Sequence, residues 1–200
     1  MKKLLWVGLL IGICGMFRTT PSEAISIDFS PVTQSVTLGD TFTMNLIVSG
    51  LEAVTPAEIV SAYDLDVTYN AALFAATGVT FGTSLGLSFQ ASNLSSGLVD
   101  LAEVSLESDL DLAALQGDSV TLATLTFNAT GTGTGAFNFV FDAFNDVKGR
   151  DAQVLSLTAG SGQVQVGANP VPEPGTLMLL GSGLAGLLGY GWRRRRTQSV

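Results

Sequence analysis

The stretch AYDLDVTY, residues 62–69, alternates strictly with a period of two. Tyr63, Leu65, Val67 and Tyr69 fall on one side, and Asp64, Asp66 and Thr68 on the other. Successive side chains leave an extended chain on opposite faces, so the pattern predicts a β-strand with one buried and one solvated face. The same alternation recurs outward in both directions. In FTMNLIVS (42–49), Phe42, Met44, Leu46 and Val48 share a face. In ATLTF (123–127) the apolar set is Ala123, Leu125 and Phe127, and in FNFVF (137–141) it is Phe137, Phe139 and Phe141. QVQV (163–166) contributes Val164 and Val166. Turn-forming clusters separate these runs: LGD (38–40), YNAA (69–72), SSG (95–97), QGD (116–118), TGTGTG (130–135) and AGSG (159–162). Many short strands with regular punctuation predict an all-β protein, an antiparallel β-sandwich or jelly roll. No long stretch of this region has helical periodicity; TPAEIV (55–60) is expected to form one turn at most.

The charge is distributed unevenly. The chain of 200 residues carries a formal net charge of −8, yet residues 25–170 hold fifteen acidic residues against only Lys148 and Arg150, a net of −13. Such a domain repels phosphate backbones, so nucleic acid is not an expected partner. It stays soluble, and its field attracts cations or a basic protein. There is no histidine, and the one cysteine, Cys14, lies near the N-terminus. The region from residue 25 onward therefore has no disulfide, no thiolate or imidazole zinc site, and no Ser–His or Cys–His nucleophile.

Oxygen ligands remain the only chemistry in quantity. Asp64 and Asp66 lie two apart on one strand, so both carboxylates face the same side; a glycosidase acid–base pair is one use and a solvated strand face is the other. Glu107, Asp109 and Asp111 cluster in ESDLDL, and Asp142, Asn145, Asp146 and Asp151 cluster in FDAFNDVKGRD. Hard oxygen donors in loops suit Ca²⁺, and Asp142, Asp146 and Asp151 are the candidate ligands, although neither cluster has EF-hand spacing. No other cofactor is expected. Asn93 and Asn128 fit the short N-glycosylation acceptor, a motif too common to carry weight. Tyr63 and Tyr69 belong to the face expected to be buried, which argues against their use as sugar platforms. Without platform aromatics or a coherent acid–base set, the chain is expected not to be an enzyme.

Both ends read as addresses. Lys2 and Lys3 precede an apolar run from Leu4 to Phe17, and Ser22 and Ala24 have the spacing of a signal-peptidase site. Residues 1–24 are thus expected to be a secretory signal helix, read by the Sec translocon and cut after Ala24. At the other end Pro170, Pro172 and Pro174 alternate in NPVPEPG, which bars residues 168–175 from a sheet or helix interior and makes them an exposed spacer. Gly175 to Trp192 supplies 18 uncharged residues, roughly 27 Å of helix and about one hydrocarbon thickness. Arg193, Arg194, Arg195 and Arg196 follow as a cytoplasmic stop. Residues 176–200 are therefore expected to form a transmembrane tail, with the acidic domain (25–167) outside the inner membrane. A permanent C-terminal anchor and a removable one both fit these residues.

Two family resemblances add to this reading. ISIDFSPVTQSVTLGDTFTMNLIVSGL, SAYDLDVTYNAALF, DSVTLATLTFNATGTGTGAFNFVF and DAFNDVKGRDAQVLSLTAGSGQVQV, taken in order, resemble a cohesin-type module over about residues 25–167. That resemblance implies a nine-stranded jelly roll of the kind shared with carbohydrate-binding modules, and a dockerin-like protein or an exopolysaccharide as partner. Val171-Pro172-Glu173-Pro174-Gly175, an apolar span and the terminal arginines closely resemble the PEP-CTERM sorting signal. This second resemblance implies cleavage near Pro-Glu-Pro by an exosortase. It also implies passage through the inner membrane to the cell surface or extracellular matrix of a Gram-negative bacterium.

Overall fold

A computed structural model describes residues 24–54, 56–141, 146–168 and 176–196. The signal helix, the candidate ligands Asp142 and Asn145, and the motif Val171–Gly175 lie outside the described residues. The chain divides into two compact units, residues 1–167 and 168–200.

The first unit is a two-sheet sandwich. Its strands are β1 (Ser26–Ser30), β2 (Thr33–Thr37), β3 (Thr41–Ser49), β4 (Ala62–Tyr69), β5 (Phe74–Phe81) and β6 (Ser88–Ser95). They continue as β7 (Leu98–Ser105), β8 (Ser119–Ala129), β9 (Gly133–Val140), β10 (Asp146–Lys148), β11 (Thr158–Ala159) and β12 (Ser161–Gly167). One sheet runs β11-β1-β3-β8-β5; the other runs β2-β12-β9-β4-β7-β6, with β10 also paired to β4. Pairing is antiparallel except where β11 joins β1 and β2 joins β12. The fold expected from the alternation is present, with more and shorter strands than the nine implied by the resemblance.

The alternating apolar sets face each other between the sheets. Phe42, Met44, Leu46 and Val48 on β3 are buried, as are Tyr63, Leu65 and Val67 on β4 and Val164 and Val166 on β12. Each such Leu or Phe contributes roughly 1.5–3 kcal/mol through loss of hydrated apolar surface. Phe137 is the centre of an aromatic cluster, with ring centroids 5.0 Å from both Phe74 and Phe127 and 6.3 Å from both Phe29 and Phe42. Gly135 makes this possible, because a side chain there would enter the space of the Phe74 ring. TGTGTG is thus partly strand: β9 begins at Gly133.

On β8 the phase of burial slips. Leu46 pairs with Ala123 but Ile47 pairs with Thr121, so Leu122 is an extra residue in a β-bulge. Leu122 and Ala123 are consequently both buried. Phe141 lies just past β9 and is more exposed than its parity with Phe137 suggested.

Two helical expectations change. TPAEIV forms no helical turn among the described residues; a short 3-10 turn forms upstream at Leu51–Ala53. Pro56 blocks continuation of that turn, while Ile59 and Val60 insert into the core from extended chain. A helix not foreseen, α1 (Asp109–Leu115), occupies part of ESDLDL. Ser108 caps it by accepting the Asp111 N–H, and Asp109 and Asp111 sit in its first turn, where the helix dipole favours carboxylates. Only Leu112 is buried, so two turns leave too short a pattern to read as helical periodicity.

The second unit contains α2 (Thr176–Arg196), a 21-residue helix. None of the helices among the described residues is long and apolar enough to cross a membrane. The helix expected for the tail is present, but Gly181, Gly183, Gly186, Gly189 and Gly191 dilute its apolarity and the arginines occupy its last turn.

Candidate functional site

The outer face of the larger sheet concentrates the exposed chemistry of the first unit. Register fixes its rows. Across β4 and β7, Ala62 opposes Val104, Asp64 opposes Ala102, and Asp66 opposes Asp100. Across β7 and β6, Phe89 opposes Val104, Ala91 opposes Ala102, and Asn93 opposes Asp100. The ladder extends one pair further, since the Leu106 N–H donates to the Leu87 carbonyl at 2.8 Å.

Two features stand out on this face. Leu87, Phe89, Val104 and Leu106 form a block of four large apolar side chains that are 68%, 71%, 50% and 51% exposed. Scattered single apolar residues are ordinary on a surface, whereas these four are neighbours across the β6–β7 ladder. Beside it runs an acidic stripe. Asp66 and Asp100 oppose each other directly, and Asp64 opposes Asp146 across β4 and β10. Like charges directly opposite destabilise a sheet, so the Asp66–Asp100 pair gains from a nearby cation, as Asp146 does from Lys148. Small side chains at Ala62, Ala91 and Ala102 keep the surface between the two features flat.

The candidates from the sequence are placed as follows. Asp64 and Asp66 project together from this open face rather than towards each other across a cleft, so their geometry is that of a charged surface. Asp146 forms a salt bridge with Lys148 on its own strand. The Asp151 N–H donates to Asp109 Oδ2 at 2.9 Å, and Asp111 accepts the Ser108 hydroxyl at 2.6 Å. Among the described residues no group of three or more acidic side chains could hold a metal ion. Tyr63 is buried as expected; Tyr69 is half-buried, with its hydroxyl donating to the Ser95 carbonyl at 2.8 Å.

Sequence reasoning missed two things. One is the exposed aromatic Phe89. The other is Glu103, which is 1% exposed. It lies in phase with Val99 and Leu101 in LVDLAEVS, so the strand's own alternation points it inward, and that was the available signal. Its Oε1 accepts from Ser88 Oγ at 2.6 Å and Gln90 Nε2 at 2.9 Å. The Tyr63 hydroxyl lies 2.8 Å from Glu103 Oε2 and 3.0 Å from the Leu122 carbonyl. Burial first, then the hydrogen bond and charge of Glu103, push the Tyr63 hydroxyl well above its ordinary value of 10.0. This polar cluster ties β4, β6 and β7 to the opposite sheet. A shallow depression lined by Thr33, Gln34, Ser35, Gln163 and Gln165 lies between β2 and β12 and is wholly polar in its side chains.

The decisive comparison concerns the tail. Residues 170–196 match the PEP-CTERM protein-sorting motif. A sorting motif of this kind indicates export, with a membrane-anchored stage before delivery to the cell surface. The first unit is similar in fold to cohesin modules. A cohesin module from a family 33 glycoside hydrolase of Clostridium perfringens aligns at TM-score 0.57 and 17% identity, covering 73% of this chain and 98% of that one. The cohesin of a type I cohesin–dockerin complex from Clostridium thermocellum aligns at TM-score 0.57 and 14% identity, covering 72% and 99%. A non-cellulosomal cohesin from the archaeon Archaeoglobus fulgidus aligns at TM-score 0.55 and 9% identity, covering 78% and 96%. At these identities the likeness is one of fold. None of the curated proteins matches the chain. The chain thus joins a PEP-CTERM protein-sorting motif to a sandwich of cohesin-like fold.

Proposed function

We propose that this chain is a non-enzymatic exported protein that an exosortase cuts near Pro172-Glu173-Pro174, freeing the sandwich to act at the cell surface or in the extracellular matrix. The match of residues 170–196 to the sorting motif carries this reading. The sequence of the spacer supports it, because prolines at alternate positions are incompatible with a helix or sheet interior and suit a protease substrate. In this reading the arginines hold the tail until cleavage, and the tail is a temporary address. Mass spectrometry of the mature C-terminus in the producing cell tests it. The expected product ends near Glu173, and Glu173→Ala leaves the tail attached. A mature wild-type protein still carrying Arg196 would refute processing and leave a permanently anchored module.

The partner of the sandwich is, in the same proposal, a protein of dockerin type that docks on the outer face of β6, β7 and β4. The apolar block beside an acidic stripe supports this, because it fits a helix with apolar anchors flanked by Lys or Arg. Phe89→Asp and Val104→Asp are expected to abolish capture of such a partner from the exoproteome, with Thr134→Asp as the silent control. Equal capture by all three variants would remove this face from the proposal. Exopolysaccharide is the second reading, favoured by the polar depression between β2 and β12. Glycan binding lost in Gln163→Ala and Gln165→Ala would support it over the protein partner.

A further inference from the structure

The free edges of the two sheets are not alike. A sheet edge presents unpaired N–H and C=O groups to any extended chain, and proteins blunt such edges by shortness, charge, proline or bulges. Edge strand β11 has two residues and β2 has five. Edge strand β5 is bulged, its register against β8 slipping between Ala76 and Gly78. Strand β6 has none of these devices. It runs eight residues in unbroken register with β7. The chain has no charged residue between Asp66 and Asp100 and no proline between Pro56 and Pro170. From Phe89 to Ser95 every residue of β6 is exposed.

Backbone direction follows from the ladder. The Leu87 carbonyl accepts the Leu106 N–H, so Leu87 turns its backbone towards β7. By alternation Phe89, Ala91, Asn93 and Ser95 do the same, and Ser88, Gln90, Ser92 and Leu94 turn their N–H and C=O groups to the open edge.

We infer that β6 is a self-association edge, pairing antiparallel with β6 of a second copy about a two-fold axis at Ala91. In this register Gln90 pairs with Ser92 of the second copy and Ser88 with Leu94, so all four open backbone positions are matched. No residue of β6 carries a charge, so two domains of net −13 can approach along it without bringing carboxylates into line. A two-fold contact is self-complementary and closes, which limits it to a dimer. Pairing would join the two larger sheets and set two outer faces side by side. The docking advantage of that arrangement rests on the proposed partner, whereas the pairing itself does not.

Disulfide trapping in the full chain tests this, using membranes of cells that express it with Cys14→Ser. Ala91→Cys is expected to give a covalent dimer on oxidation with copper phenanthroline, at least ten-fold above the yield from Thr134→Cys. Thr134 is exposed on β9 away from the edge, so its yield reports any association driven by α2. Adding Ser92→Pro removes an N–H that faces the open edge and spares the β6–β7 ladder. Adding Ser92→Glu places like charges across the axis at an exposed position that folding does not need. Each is expected to cut the Ala91→Cys dimer at least ten-fold. A yield from Ala91→Cys no higher than from Thr134→Cys would overturn the inference, as would a dimer undiminished by Ser92→Glu. Loss of exosortase cleavage or of a protein partner would leave these readouts unchanged.

Discussion

Glu103 and Tyr63 sit directly opposite each other on β7 and β4, both facing inward, with the carboxylate and the hydroxyl 2.8 Å apart. A carboxyl this deeply buried persists because Tyr63, Ser88 and Gln90 donate to both of its oxygens. The cluster is also what fastens the edge strand β6 to the interior, since two of the three donors belong to β6.

Truncating the acceptor strands those donors. Glu103→Ala is expected to lower the unfolding free energy by about 2–3 kcal/mol, the cost of removing the acceptor of the buried Tyr63 hydroxyl and the half-buried Ser88 hydroxyl. Urea titration measures it. A loss below about 0.5 kcal/mol would mean that the donors find other acceptors.

Tyr63 makes stability fall in alkali. Its hydroxyl is held protonated in the folded state well above 10.0, while in the unfolded chain it ionises at its ordinary value. The unfolded state therefore binds fewer protons once the pH exceeds about 10, so the Tyr63 contribution is complete below that pH and is lost as the pH rises. Thermal melts from pH 8 to 11 should show a steeper decline for the wild type than for Tyr63→Phe. Parallel curves would exclude this origin.

Phe137 contacts more aromatic rings than any other described residue, touching Phe29, Phe42, Tyr69, Phe74 and Phe127. Phe137→Ala is expected to cost about 3–5 kcal/mol, because the rigid sheets cannot close over the cavity. Phe89→Ala, at an exposed position, should cost less than about 0.5 kcal/mol. The pair separates core from surface in one denaturation experiment.

Helix α1 depends on its cap. Ser108→Ala removes the acceptor of the Asp111 N–H and the donor to Asp111 Oδ2. A loss of about 1 kcal/mol is expected, and Ser108→Asp should restore most of it. Hydrogen exchange localised to Asp111 and Leu112 would register the fraying directly.

Much of this architecture was legible from period-two alternation. The strands around Phe42–Val48, Tyr63–Val67, Leu125–Phe127 and Val164–Val166 bury the side chains that the pattern assigned inward. The pattern failed where backbone geometry breaks parity. The Leu122 bulge shifts phase inside β8, and α1 is too short to show a helical period. At Glu103 the alternation points inward but the residue type does not, and hydrogen-bond partners from two other strands offset the cost of burying an acid. Those partners are 40 and about 15 residues away in the chain, beyond any local motif.

The sequence alone determined the class of fold, the sign of its surface field, the lack of thiol and imidazole groups from residue 25 onward, and the sorting tail. Each depends on composition or on the order of neighbouring residues, which the chain carries with it. Tertiary structure decided which strands are neighbours and which faces and edges stay uncovered. Only sheet order sets Phe89 against Val104, aligns Asp66 with Asp100, and leaves β6 at an open edge, because alternation fixes the face a side chain takes and not the strand that lies beside it.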